Sequence, residues 1–424
     1  MIVPAGRPPG GAARARRAAL LLGLAPLPLA TQPVSAATTF EVNSTADPGD
    51  GTCNAAECTL REAIAAANAD ADLDTITFRI PGNEVQTISP RSELPTTSEP
   101  VVIDGYTQPG ARENRVVKGT KAKLRVELDG SLAGGADGLV VAGGDTTIRG
   151  LVINDFAGIG ILLENTAGNT NNVVEGNFIG TNAAGTDNKG NGPGLAIRAQ
   201  STGSQIGGGR SPAARNLISG NESSAVSINS NDNEVAGNLI GTDRTGRSDL
   251  GNDGAGVVFS GGSDNLVAGN VIAFNFDGVA VNDSTGNRIL GNSIFDNRIL
   301  GIDLDGNNDV TPNDPNDPDT GDNNLQNFPV VTSATKTTIA GTLDSLANTT
   351  FRLELFANPA ADGAEGKTLL GQFDVTTNGN GDAAFLFRPD KRVRPGQAIT
   401  ATATNLATGD TSEFSEPELV QRAQ

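Results

Sequence analysis

The sequence predicts an all-β protein: a solenoid of the parallel β-helix type with a short N-terminal capping helix, followed by a small β-sandwich domain. Three observations carry this. A short strand phrase, a small residue and then alternating apolar residues, returns as Gly138-Leu-Val-Val, Gly158-Ile-Gly-Ile, Gly194-Leu-Ala-Ile, Ala225-Val-Ser-Ile, Gly256-Val-Val-Phe, Gly278-Val-Ala-Val and Gly301-Ile-Asp-Leu. Between these lies a second phrase, Asn172-Val-Val-Glu-Gly-Asn, repeated with variations from Asn216, Asn233, Asn265 and Asn287. With insertions set aside, the unit is roughly 20 to 24 residues, a solenoid length, and it lacks a helical period. From Phe328 onward the pattern changes to about seven short strands separated by Gly, Pro, Asn and Asp, which suggests a sandwich.

Composition limits the chemistry. The 424 residues include 54 Gly, no His and no Trp, and the net charge is −19. Such acidity disfavours nucleic acid as a partner. Without His the usual general base and the commonest metal ligand are missing, so any reaction must run on Asp, Glu, Lys, Arg or Tyr106.

Taken in order, residues 1–36 read as a signal peptide. Arg14, Arg16 and Arg17 precede an apolar run from Ala18 to Ala30, and Val34-Ser-Ala36 offers small residues before a cleavage point. The run is too short to span a bilayer, and no later segment could cross one as a helix. The expected location is therefore secreted or cell surface, with Cys53 and Cys58 free to close a disulfide after export.

Residues 37–98 form an N-terminal cap. Thr59-Leu-Arg-Glu62 has the form of a capping box, and Leu60, Ala63, Ile64 and Ala67 share one helical face. A helix from Leu60 to about Asn68 would cover the open end of the sheets behind it.

Residues 99–304 are the β-helix. Its Gly-Asn pairs are expected at corners, since both residues tolerate left-handed backbone angles. Stacked Asn side chains would bond along the rod, although an Asn-lined carbohydrate groove is the alternative. Two twelve-residue loops of one design, 180–191 and 241–252, and a third insertion from Gly207 to Arg215 interrupt the repeats.

Residues 305–327 read as an acidic, Pro-rich linker. Asp303, Asp305, Asn307 and Asp309 are spaced by two, like the early ligands of an EF-hand loop, and calcium is the ion such oxygens suit. The glycine is misplaced for that motif and no Glu closes it. Residues 328–418 are the sandwich and 419–424 a tail.

At Thr39-Phe-Glu-Val-Asn-Ser-Thr-Ala-Asp, Cys53 and Cys58-Thr-Leu-Arg-Glu-Ala-Ile64, the chain resembles the CSLREA domain of exported bacterial proteins. Thr59 replaces the name-giving Ser and keeps the capping hydroxyl. Ile103-Asp-Gly-Tyr-Thr-Gln-Pro-Gly110 and Ile148-Arg-Gly-Leu-Val-Ile153 resemble the β-helix repeats that accompany it. Asn323-Asn-Leu-Gln-Asn-Phe-Pro-Val and Asp410-Thr-Ser-Glu-Phe-Ser resemble its C-terminal domain. The resemblance implies a secreted or surface-attached protein with a right-handed parallel β-helix and an Ig-like β-sandwich. It brings no catalytic residue with it.

Two readings of function follow. The first is a non-catalytic surface or matrix protein, expected to be a monomer, whose β-helix serves adhesion or binding of a polysaccharide or cell-surface glycan. The alternative is a polysaccharide lyase or hydrolase acting on an acidic polysaccharide with Ca. For a lyase, Arg210-Ser-Pro-Ala-Ala-Arg215 matches the Arg-x-Pro-x-x-Arg pattern of pectate-lyase-like sites, making Arg210 and Arg215 the catalytic candidates. For a hydrolase, Asp155 and Asp277 precede strands at similar repeat positions. Both are also natural turn residues.

Overall fold

The structure, a computed structural model, describes residues 37–421 apart from 165, 210, 361, 362 and 364. The expected signal peptide and Arg210 lie outside the described residues.

The chain winds as a parallel β-helix with three sheets of nine, eight and seven strands. One coil shows the plan. Thr147–Arg149 belongs to the nine-stranded sheet, Leu151–Asn154 to the eight-stranded sheet and Ile161–Leu163 to the seven-stranded sheet. Val173–Glu175 then stacks in register on Thr147–Arg149 and starts the next coil. Side chains alternate across each strand, so every sheet has an inward and an outward row. The inward rows are nearly all Ile, Val and Leu. Ile153, Ile179, Ile218, Ile240, Ile272 and Ile294 form one column, each in register with the next, and all are buried. Each contributes about 1.5–3 kcal/mol of apolar burial.

The stacking begins earlier than residue 99. Thr39–Val42 and Asp74–Phe78 already pair in parallel at the edge of the nine-stranded sheet. Helix α1, Leu60–Ala67, has the expected capping box between Thr59 and Glu62. Its Leu60, Ala63, Ile64 and Ala67 join the apolar core and close that end of the rod.

One repeat is offset from its sequence reading. Leu139 N–H donates to Gly160 O, and Leu139 is in register with Ile161. Gly160, not Gly158, is therefore the stacking partner of Gly138. A Cβ at Gly138 would sit 2.4 Å from Gly160 O, and one at Gly278 would sit 2.4 Å from Gly301 O. The small residue opening each strand is required by the carbonyl of the next coil.

The Asn phrase also divides in two. In four of its five copies it spans a strand of the nine-stranded sheet, as Asn172 and Asn177 flank Val173–Glu175. In the copy from Asn216 to Asn221 it spans Leu217–Ile218 of the eight-stranded sheet. The phrase fits both because corners on either side of a strand need the same thing. Gly176, Gly220, Gly237, Gly269 and Gly291 have φ between 62° and 76°. The Asn residues beside them do not share that conformation and are ladder residues instead. The backbone N–H groups of Asn177, Asn216, Asn238 and Asn270 donate to Oδ1 of Asn216, Asn238, Asn270 and Asn292, at 2.9–3.2 Å. Each Nδ2 donates to a strand carbonyl in the coil before, as Asn238 does to Ile206 O at 2.9 Å. A second ladder runs Asn191, Asn221, Asn252, Asn275, Asn297, and a third runs Asn233, Asn265, Asn287, Asn323. Apart from the half-buried Asn297 these side chains are buried, so their bonds replace bonds to water and the ladders do not line a carbohydrate groove.

The C-terminal region is an antiparallel sandwich. Val330–Ala334, Ile339–Asp344 and Asp382–Phe387 form one sheet. Thr368–Thr376, Thr350–Pro359, Gln397–Asn405 and Glu418–Leu419 form the other. One of the seven short strands that the sequence suggests, at Glu413–Ser415, does not form, because that segment serves the end of the β-helix. Asp410 Oδ1 accepts from Gly286 N–H at 2.6 Å, Thr411 Oγ1 from Ile289 N–H at 3.0 Å, and Glu413 from Leu304 and Thr311 N–H at 2.9 and 2.7 Å. Glu354 accepts from Gly291 N–H, and Glu365 ends the second Asn ladder by accepting from Asp296 and Asn297 N–H. The sandwich thus satisfies the backbone donors that a last coil leaves open.

Candidate functional site

The insertions that interrupt the repeats converge. The outward row of the eight-stranded sheet is apolar, with Val152, Phe178, Leu217 and Leu239 buried together with Ala122 and Leu124. A flat apolar sheet face needs a cover, and the loops supply it. Residues 111–125 lie across it, held by Arg112 and Lys123 exchanging backbone bonds at 2.9 and 2.8 Å. Buried Asn114 shapes that loop: its Oδ1 accepts from Val116 and Lys121 N–H at 3.1 Å, and its Nδ2 donates to Pro212 O at 2.8 Å.

Two arginines lock the loops together. Arg215 donates to Gly237 O at 2.8 Å, Val117 O at 2.8 Å and Gly119 O at 2.7 Å. Burial pushes its pKa down, and among the described residues no carboxylate pairs with it. Arg244, from loop 241–252, donates to Thr120, Ala184 and Ala122 carbonyls. Its own N–H donates to Gly185 O in loop 180–191. The loops singled out in the sequence are therefore one assembly, and Arg215 is its clamp.

Beside this assembly, on the outward face of the nine-stranded sheet, lies a groove of about 740 Å³. Its floor is small: Gly207, Ala236 and Ala268 stand in register. Glu175, Gln205 and Glu234 line it from successive strands, and Gly208, Gly209, Ser211 and Ala214 form its wall. At the upstream end Arg149 sits between Asp104 and Glu175 of neighbouring coils, at 2.6 and 3.7 Å, with Glu113 at 3.9 Å. The Asp104 hydrogen bond raises its pKa, and its Nε is buried without a partner. Tyr106 donates to Gly176 O at 2.8 Å, and burial pushes its phenol pKa up.

The remaining candidates are dispersed. Asp155 occupies a corner with φ 55° and pairs with Lys189 at 2.7 Å. Asp277 is buried before Gly278 and accepts from Leu300 N–H at 3.1 Å, as Asp137 before Gly138 accepts from Ile159 N–H at 2.6 Å. The two aspartates thus stand at different places in the repeat and do not form a catalytic pair. Asp303 is buried on the last strand of the β-helix with Oδ1 unpartnered, and its burial beside Asp277 and Asp305 raises its pKa to about 6. Asn307 donates to Asp305 at 2.9 Å, and Asp309 N–H donates to Asn307 at 2.7 Å, the bonds of a self-closing loop. Among the described residues, carboxylates converge within 4.8 Å at Asp314, Asp317 and Asp319, and at Asp50, Glu57 and Glu62. Cys53 and Cys58 form a disulfide.

The sequence reading passed over Asn114, Arg149, Arg244 and the groove. One signal was available: residues 111–125 carry six Lys or Arg against a single Glu, in a chain of net charge −19.

No family model matches the chain, and no curated protein matches it. Among solved structures, it is similar to tailspike protein 2 of Escherichia coli O157:H7 bacteriophage CAB120, at 9% identity and TM-score 0.28, over 86% of this chain and 66% of that one. The chain thus spans just under two thirds of that tailspike. It is similar to the ORF18 protein of Geobacillus virus E2 at 13% identity and TM-score 0.28, over 90% and 76% of the two chains. A third similar structure is tailspike gp49 of Acinetobacter baumannii bacteriophage Fri1, a capsular polysaccharide depolymerase, at 8% identity and TM-score 0.16, over 83% and 71%.

Proposed function

We propose that the chain is an exported, non-catalytic β-helix of the CSLREA kind that binds an extended glycan along the outward face of its nine-stranded sheet. The observation that carries this is the groove itself. A floor of Gly207, Ala236 and Ala268 admits a flat ring, and Glu175, Gln205 and Glu234 present hydrogen-bonding groups from successive coils. Coils repeat about every 4.8 Å, a step comparable to one sugar residue in an extended chain. Export is supported by the charged and apolar N-terminal pattern and by the disulfide. Of the two arginines named for a lyase, Arg215 has its guanidinium committed to three carbonyls, which favours a structural role for it.

The test is a glycan array with the purified chain, followed by titration of the best ligand against Gln205→Leu and Glu234→Leu variants. Binding that drops tenfold or more in both supports the groove. An empty array, or affinity unchanged in both variants, rejects it, and steady release of shortened glycan rejects the non-catalytic part.

A further inference from the structure

The loop that covers the eight-stranded sheet is itself a charged strip. Arg112, Arg115, Lys118, Lys121 and Lys123 are all exposed, and Arg247 of loop 241–252 joins Lys118 and Lys121 around one shallow depression. Among the described residues none of these six forms an ion pair. The single acid of the strip, Glu113, faces Arg149 instead. In a chain of net charge −19 such a concentration of unpaired cations opposes the field of the rest of the molecule.

The strip is also held still. Asn114 pins it from within, Arg215 holds Val117 and Gly119, and Arg244 holds Thr120 and Ala122. Cations fixed in advance lose less freedom when a ligand binds. The strip meets the glycan groove at Tyr106. That residue lines a cavity with Arg112, Arg115 and Lys121, and its hydroxyl bonds Gly176, next to Glu175 of the groove.

We infer that this strip is a second binding surface, specific for an acidic polysaccharide whose carboxylates pair with Arg112, Arg115 and Lys121 while its backbone continues into the groove. The inference rests on the glycan-binding reading and adds the charge of the ligand. Nucleic acid fits less well: Tyr106 is committed to the fold, so the strip offers no aromatic platform for single-stranded bases, and the net charge of −19 opposes a duplex larger than the strip.

Polygalacturonate, dextran and double-stranded DNA serve as probes, with binding to the purified full chain measured at low and moderate salt. Polygalacturonate is expected to bind most tightly and to lose about tenfold in affinity over a fourfold rise in salt, as release of counterions from a few ion pairs requires. The combined R112Q, R115Q and K121Q variant, with an unchanged melting temperature, is expected to lose at least tenfold toward polygalacturonate and nothing toward any neutral glycan found on the array. A charge-insensitive preference for neutral glycans overturns this inference and leaves the groove reading standing. Tighter binding of DNA than of polygalacturonate overturns it as well. If neither charged nor neutral glycans bind, both readings fall.

Discussion

Arg215 donates to the carbonyl of Gly119, 96 residues earlier in the chain, at 2.7 Å. With Val117 O and Gly237 O also in its grasp, one side chain ties an early loop to a middle coil. Arg215→Ala strands three carbonyls and is expected to cost about 1–3 kcal/mol. It should also make the 115–121 segment the first site cut by trypsin. Arg215→Lys should not rescue, because an ammonium lacks the planar fork. Urea unfolding and timed proteolysis measure both effects, and a wild-type digestion pattern in Arg215→Ala would show that the clamp is dispensable.

The Asn ladders predict a graded response along the rod. Asn238→Ala removes a buried acceptor from Asn216 N–H and a donor to Ile206 O. A loss of about 2–4 kcal/mol is expected, since two buried backbone groups are left unpaired. Asn323, where the third ladder ends against Asn287, should cost less locally but loosen the sandwich. Hydrogen exchange resolves the two cases: protection should fall around residues 206–238 in the first and around 284–290 in the second.

Gly278→Ala places a Cβ 2.4 Å from Gly301 O and 2.6 Å from the Ile294 side chain. Overpacking against backbone is expected to cost roughly 1–3 kcal/mol. Gly269→Ala meets no neighbour within 4 Å but has φ 62°, so its cost is conformational and smaller. Melting temperatures of the two variants should fall in that order.

The two ends of the rod should respond oppositely to pH. Burial, with Asp303 and Asp305 nearby, pushes Glu413 up to about 8 against two backbone N–H bonds. A carboxyl raised in the folded state contributes stability that is full below its unfolded value and is lost as pH rises through the folded one. Attachment of the sandwich should therefore weaken from about pH 4.5 to pH 8, and Glu413→Gln should flatten that slope. At the other end burial also pushes Glu62 up, but the N–H groups of Thr59, Gly51 and Thr52 and the Thr59 hydroxyl outweigh it and hold its pKa below the ordinary value. Its contribution is present above the unfolded value and lost on acidification. Exchange protection of residues 60–67 should fall in acid while that of residues 286–304 rises. Parallel changes at both ends would contradict the assignment.

The sequence alone determined the β-helix, its capping helix, the Cys53–Cys58 pairing and the sandwich. Each depends on local regularities: alternation along a strand, Gly at a tight corner, a Thr-x-x-Glu box, a short Cys spacing. The same local signal misassigned Gly158 and merged the Asn216 phrase with the others. Which of two nearby glycines stacks, and which sheet a phrase flanks, depends on register with a coil 20 or more residues away. Tertiary structure alone decided the rest. It put Arg215 and Arg244 under the 111–125 loop, sent Asp410, Thr411 and Glu413 back to the last coil, and placed Glu175, Gln205 and Glu234 in one groove. Those contacts are set by loops folding over an apolar outward row and by open backbone donors at the end of a stack, and neither leaves a period in the sequence.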